Sequence, residues 1–421
     1  MTSRCRTLTA RGALFTALLN FAGTALAQTF EVLYNFTGVN DGADPNGLTI
    51  GEDGVLYGTT GGGGGSNSPT RNGTVFSLMP PTSGGGGWTL STLFNLVNYP
   101  AYGRIPLGTL AIGSEGILYG TIAVAGAQDS GGTVYSLTPP AAPGGAWTPN
   151  FLTETGGANL PYAGVEMGRD GVLYGTTTTG NESTGTVFAV APPSSPGGAW
   201  TYSVLHSFDG SPDGAALFGG VVIGKDGILY GGTHSGGTYG YGIVYSLTPA
   251  PMGESWAENI LLNFDGTDGR ANESSLVFGE HGILYGTTDF GGGTGCVYGC
   301  GTVFSLTPPA ATGAAWTETV LYQFGEIGDG FAPRGGVVVG KGGVLYGTTI
   351  NGGGQCCGTV YSLTPPSSPG GAWTHKVLHR FDKTDGSAPL STLALGKDGT
   401  LYGATENGGS GLSGVVFAVK P

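Results

Sequence analysis

The sequence predicts an all-β fold, a seven-bladed β-propeller with four antiparallel strands per blade, and three observations lead there. The phrase Leu-Tyr-Gly recurs seven times, from Leu56-Tyr57-Gly58 to Leu401-Tyr402-Gly403, with its tyrosines 62, 55, 56, 55, 61 and 56 residues apart. A period in that range, carrying only strand and turn signals, marks a propeller or another array. Six tryptophans (Trp88, Trp147, Trp200, Trp256, Trp316 and Trp373) stand at one place in successive repeats, which leaves a seventh outer strand to find. It stands at the other end of the chain, where Val32-Leu33-Tyr34-Asn35-Phe36 matches Val320-Leu321-Tyr322-Gln323-Phe324.

Residues 217–264 show the elements in order. An apolar run, Leu217 to Ile223, leads into Gly224-Lys225-Asp226-Gly227. Asp-Gly is a strong tight-hairpin signal because both residues tolerate positive φ. Ile228 to Thr233 is the second strand, and a Gly-rich loop from Ser235 to Tyr241 leads to the third, Ile243 to Thr248. Pro249 and Pro251 then stop the ladder, since proline cannot donate to it. Trp256 opens a fourth strand that ends at Phe264. These strands are apolar on both faces, as in a sheet covered on each side by a neighbour. The chain stops after a third strand, Val415 to Val419, so one blade takes its outer strand from the N-terminus and its inner three from the C-terminus. That splice closes a ring and hides two sheet edges.

The chain has 421 residues, of which 86 are Gly and 25 Pro, and only 10% are charged. The N-terminus reads as a secretory leader over residues 1–27. Arg4, Arg6 and Arg11 make a basic start, Ala13 to Ala22 a short apolar core, and Ala25-Leu26-Ala27 a small-x-small cleavage site. The expected domains are therefore this leader and a single propeller over 28–421, secreted to the periplasm or the exterior. Loss of three Arg takes the formal charge from −13 to −16. So acidic a surface disfavours nucleic acid and anionic membranes. No second apolar span appears, and the expected partner is an extracellular glycan or protein met by a monomer.

The unit G-x-D-G-x-L-Y-G-T-T, a Gly-rich loop, G-T-V-F-S-L-T-P-P, W-T and V-L-x-x-F resembles the GloVer (Gloeobacter/Verrucomicrobium) tandem repeat of secreted bacterial proteins. Gly168 to Thr177 and Gly301 to Pro309 carry the likeness most fully. The resemblance implies a secreted repeat protein and transfers no biochemical role. Members often end in a surface-anchoring signal, from which this chain departs by ending at its last strand.

No catalytic constellation is legible. Ser195-Pro196-Gly197-Gly198-Ala199-Trp200 is similar to an Asp-box turn without its Asp, and reads as a glycine turn with an anchoring Trp. His375 and His379 have the spacing of a helical zinc pair but fall on a strand, about 13 Å apart. The histidines, His206 included, are expected to be solvated or at sheet edges. Cys296, Cys300, Cys356 and Cys357 follow second strands in neighbouring repeats. An oxidising compartment favours disulfides, with Cys296–Cys300 expected and the alternatives of a vicinal Cys356–Cys357 bond or two free thiols open.

The acidic residues follow the fourth strands as Asp-Gly pairs: Asp41, Asp213, Asp268, Asp329 and Asp385. They read as Asx-type turns between blades. The sharper reading is weak Ca²⁺ coordination, the one cofactor the sequence hints at. These links share a face with the irregular loops 61–72, 123–130 and 289–299, and loops on a rigid scaffold are where ligands bind. The expected function is a non-enzymatic binding or surface-interaction module on that face. The alternative is a carbohydrate-active hydrolase or lyase in the central pocket, which would need two facing carboxylates roughly 5 to 9.5 Å apart.

Overall fold

The computed structural model describes residues 28–421 except 66–71, 83–85, 100–102, 125–130, 143, 157–158, 180–183, 196, 252–253, 294, 312, 326–327, 355–356 and 369. The expected leader lies outside the described residues. Seven four-stranded antiparallel sheets form blades I (43–95), II (104–154), III (166–207), IV (222–263), V (277–323), VI (337–380) and VII. Blade VII is spliced as the sequence predicts. Thr29–Asn35 is its outer strand, against Val415–Lys420, Leu401–Thr405 and Ala394–Leu395 in turn. The register runs from Thr29 opposite Lys420 to Asn35 opposite Val415.

The repeated phrase has a physical account at each position. The Leu of each Leu-Tyr-Gly is fully buried. In six of the seven copies the Tyr reaches the Trp of the next blade's outer strand, as in Tyr174–Trp256 (6.0 Å between rings) and, across the splice, Tyr402–Trp88 (6.0 Å). The Gly makes room for the third strand's aromatic ring. A Cβ at Gly58 would sit 2.5 Å from Phe76, and one at Gly231 would collide with Tyr245. The second Thr pairs with the Thr that opens the third strand, Thr177 with Thr186 at 2.8 Å and Thr288 with Thr302 at 2.9 Å. The first Thr bonds the neighbouring blade: Thr176 Oγ1 donates to Gly219 O at 2.9 Å. Motif spacing therefore encodes both the blade interior and the blade-to-blade seam.

Two local expectations change. The apolar run 217–223 is a strand only at Val222–Ile223. Gly219 O is taken by Thr176 of the preceding blade, and the Gly220 N–H donates to Ser275 Oγ of the following one at 2.9 Å, so neither is free for the ladder. The Asp-Gly hairpin is not a two-residue turn. The Gly224 N–H bonds Ile228 O at 2.8 Å, and Gly227 alone takes a positive φ, at 76°. That is a three-residue loop with its glycine in the left-handed position. The Asp side chain favours it by accepting the N–H two residues on, as Asp398 does from Thr400 at 3.0 Å. Where Glu115 or His281 replaces Asp, that residue itself has φ 58°.

The links between blades and the second-to-third-strand loops share one face. Isolated bridges join them, Ala215 to Ser235, Arg270 to Phe290, Phe331 to Asn351 and Ser387 to Asn407. Each link then turns inward to begin the next inner strand, which carries two or three residues per blade to the axis. Among the described residues no helix is long and apolar enough to cross a membrane.

Candidate functional site

The Asp-Gly series occupies the blade junctions, not the axis. Each carboxylate closes its link and most pair with the outer strand. Asp41 accepts from Tyr34 Oη (3.0 Å) and from the Thr37 N–H (2.9 Å), and Asp329 accepts from Tyr322 Oη at 2.6 Å. Asp385 meets His379 Nε2 at 2.7 Å and the Asp382 N–H at 3.0 Å. Asp268 accepts the Asp265 N–H at 2.9 Å, and Asp213 the Asp209 N–H at 3.1 Å. Asp382 and Asp265 are in turn held below the usual carboxylate range by the hydroxyls and N–H groups of Thr384 and Thr267. The arrangement is that of Asx turns.

The outer strand of the following blade leans over each junction. His375 stacks on Tyr322 at 4.5 Å, and Phe30 stacks on His379 at 3.5 Å. Glu318 leans over Asp268, and burial followed by Asp268 pushes its carboxyl up to about 8. Glu258 stands over Asp213 and His206, and burial followed by Asp213 pushes it up to about 7. His281 is exposed in its hairpin turn, as expected, but the strand histidines are neither solvated nor at free edges. His206, His375 and His379 are half-buried in seams between blades, where burial lowers the affinity of His375 and His379 for a proton.

The axial cavity, about 440 Å³, opens at the centre of the ring. Its wall comes from the positions four, five and six residues before each hairpin glycine, of which the sixth varies most. There Leu107, Tyr162, Phe218, Glu273, Arg334 and Leu390 line it from successive blades. Tyr162 and Phe218 lie 5.7 Å apart, and Phe218 meets the edge of His234 at 5.5 Å. The polar arc is an ion network. Glu273 pairs with His234 Nδ1 at 2.6 Å and with Arg334 Nε at 2.7 Å, and Arg334 also donates to Asp289 Oδ2 through Nη2 at 2.7 Å.

Arg334 divides two spaces. It lines the axial cavity with Glu273, and with Asp289 it lines a second cavity of about 250 Å³ beside Cys296, Tyr298 and Phe331. The Asp289 side chain is 1% exposed against 39% for Arg334. Burial pushes the Asp289 carboxyl above its usual range, with Arg334 pulling the other way. The two carboxylates therefore grip one guanidinium and do not face each other across the axis. Sequence reading missed His234, Glu273, Asp289 and Arg334. The signal was present in register: His234 and Asp289 both follow the Leu-Tyr-Gly-x-Thr of a second strand, and Glu273 and Arg334 both stand six before a hairpin glycine.

Cys296 and Cys300 form a disulfide, with Cα atoms 5.2 Å apart. Cys357 is buried and disulfide-bonded, while Cys356 lies outside the described residues, as do 66–71 and 125–130 of the irregular loops.

A family profile described as the Gloeobacter/Verrucomicrobia repeat matches residues 8–222 and 293–421. The stretch between those segments holds His234, Glu258, Glu273 and Asp289. No curated protein matches the chain. Among solved structures, it is similar to the extracellular domain of a protein provisionally assigned as a one component system from B. thetaiotaomicron (12% identity, 93% of this chain and 40% of that one, TM-score 0.53). It is also similar to an α-L-arabinanase from Penicillium chrysogenum (15%, 76% and 93%, TM-score 0.45). A third is the NanB sialidase from Streptococcus pneumoniae (11%, 93% and 70%, TM-score 0.44). At these identities the likeness is one of fold alone.

Proposed function

The chain belongs to the Gloeobacter/Verrucomicrobia repeat family, and from that premise we propose an exported, non-enzymatic binding module whose axial cavity takes a saccharide or similarly polyhydroxylated ligand. The observation that carries this is the wall of the cavity, where half-buried Tyr162 and Phe218 adjoin Glu273 and Arg334. Aromatic faces offer apolar area to the C–H face of a sugar ring, and a carboxylate beside a guanidinium offers paired acceptors and donors to its hydroxyls. The volume lies within the range of small-molecule sites, roughly 300–1,000 Å³. Export is supported by the disulfide between Cys296 and Cys300.

A hydrolase in the same cavity is the weaker reading. A glycosidase sets two carboxyl groups on either side of the scissile bond, whereas Glu273 and Asp289 are both tied to Arg334, and Asp289 opens to the neighbouring cavity. The test is a glycan array probed with the purified protein, with and without Ca²⁺, followed by titration of the hits. Phe218→Ala is expected to weaken binding at least tenfold with an unchanged far-UV spectrum, and no reducing ends should appear on prolonged incubation. Hits unaffected by Phe218→Ala would move the site off the axis, and saccharide cleavage abolished by Glu273→Gln would make the protein an enzyme.

A further inference from the structure

The seven-fold repeat supplies its own controls. At every junction the same three positions converge: a residue near the end of one outer strand, the link residue that follows it, and a residue near the start of the next outer strand. Most combinations are closed by hydrogen bonding or stacking, as with Tyr34 on Asp41, or Phe30 on the His379–Asp385 pair. The junction between blades III and IV differs. It brings an imidazole and two carboxylates together, His206, Asp213 and Glu258, with one donor atom from each lying within 4.8 Å of the others.

We propose that His206, Asp213 and Glu258 bind one divalent cation of the zinc class, stapling blade III to blade IV. His206 Nε2 lies 3.4 Å from Asp213 Oδ2 and 3.9 Å from Glu258 Oε2. Ligand atoms about 2.0–2.1 Å from a tetrahedral ion stand roughly 3.4 Å apart, so the first edge already fits and the second closes by a small side-chain rotation. His206 Nε2 and Glu258 Oε1 are sealed from solvent and make no hydrogen bond. By contrast, the equivalent His379 Nε2 is held by Asp385 at 2.7 Å. The three side chains are only 14–17% exposed, a place where two carboxylates facing one imidazole lack compensating charge and a dication supplies it. Asp213 is pre-oriented, because its other oxygen accepts the Asp209 N–H at 3.1 Å. Exposed Asp209 stands beside it, and a fourth coordination position remains for that carboxylate or water. An imidazole among so few oxygens selects zinc or cobalt over calcium, which takes six to eight oxygen ligands.

The site is independent of the axial cavity and of any ligand there. The test is equilibrium dialysis of the non-reduced full chain, stripped with EDTA, against Zn²⁺, with metal counted by mass spectrometry and Co²⁺ substitution read by visible absorption. One equivalent is expected, with a tetrahedral or five-coordinate cobalt spectrum and a metal-dependent rise in melting temperature. Glu258→Gln should weaken binding at least tenfold, while Glu318→Gln, at the next junction, should leave it unchanged. Failure of the wild-type chain to hold one equivalent overturns the proposal, whatever the variants do. So does binding that survives His206→Gln with Glu258→Gln, or stabilisation by Ca²⁺ and not by Zn²⁺.

Discussion

Two glycines, one in blade IV and one in the segment leading into it, eleven residues apart, illustrate how the propeller divides its labour. Gly231 belongs to the repeated phrase, and a Cβ there would run into Tyr245 of the third strand. Gly220 belongs to the axial wall, where the nearest atoms to a Cβ would be Ser275 Oγ at 3.2 Å and Ala163 Cβ at 3.5 Å. The frame position is fixed by an aromatic ring one strand away. The wall position is bounded by the Ser275 hydroxyl that its own N–H binds and by a methyl, and it lines the cavity. The same contrast runs round the ring: Leu-Tyr-Gly recurs because each residue is spoken for on both sides, while Tyr162, Phe218, Glu273 and Arg334 differ because they meet at the axis.

Arg334 is the place where that division should break. It stands at a variable wall position, yet it is the guanidinium that pairs with the buried carboxylate of Asp289. Removing one partner of a fully buried ion pair costs about 3–5 kcal/mol, because the other charge is left unpaired. The partial exposure of Arg334 brings the expectation for Arg334→Met down to about 2–3 kcal/mol. Adding Asp289→Asn should return part of the loss, since the more buried of the two stranded carboxylates goes with it while Glu273 keeps only His234. Chemical denaturation of the two single variants and the double variant measures the coupling; additive effects would mean that the network at the wall is not structural.

The glycine pair sharpens the contrast at a smaller scale. Gly231→Ala overpacks the blade interior and should cost about 1–3 kcal/mol. Gly220→Ala should cost less, about 1 kcal/mol or below, because only Ser275 Oγ must give by a few tenths of an ångström. Equal losses, read from the same denaturation curves, would show that the wall is as tightly specified as the frame.

The frame was legible in the sequence because its causes are local and repeated. Period, turn residues and the unmatched first outer strand give the blade count and the splice, and both appear in the sheets. The Cys296–Cys300 bond was legible for the same reason, four residues within one loop. The site was not. Asp213 drew attention through its recurring Asp-Gly, but the residues that distinguish its junction, His206 and Glu258, are 52 positions apart in sequence and are brought together only by the packing of blade III on blade IV. Arg334 and Asp289, 45 apart, meet the same way. Asn46 and Ser391 line one cavity from opposite ends of the chain. Register along the repeats places these residues at equivalent positions, but blade packing and ring closure decide which of them meet.

The expected effect that depends on pH compares the Asp268–Glu318 junction with those closed by tyrosine. Glu318 has its carboxyl raised to about 8 from the usual 4.5, by burial first and then by Asp268. A carboxyl raised in the folded state binds its proton more tightly there than in the unfolded chain. Below about pH 4.5 both states are protonated and the group has no influence. As pH climbs from there to about 8 the unfolded chain ionises freely while the folded one resists, so the junction progressively loses stability and then levels off. Glu318→Gln removes the ionisation, so its melting temperature should match the wild type near pH 4 and exceed it by a few degrees at pH 8.5. At the Asp41 junction Tyr34 donates to the carboxylate, and Tyr34→Phe should lower the melting temperature at pH 8.5, the opposite sign. Melting curves of both variants at pH 4 and 8.5 decide it. A Glu318→Gln advantage that is the same at both pH values would mean that the gain comes from packing and not from the ionisation of Glu318.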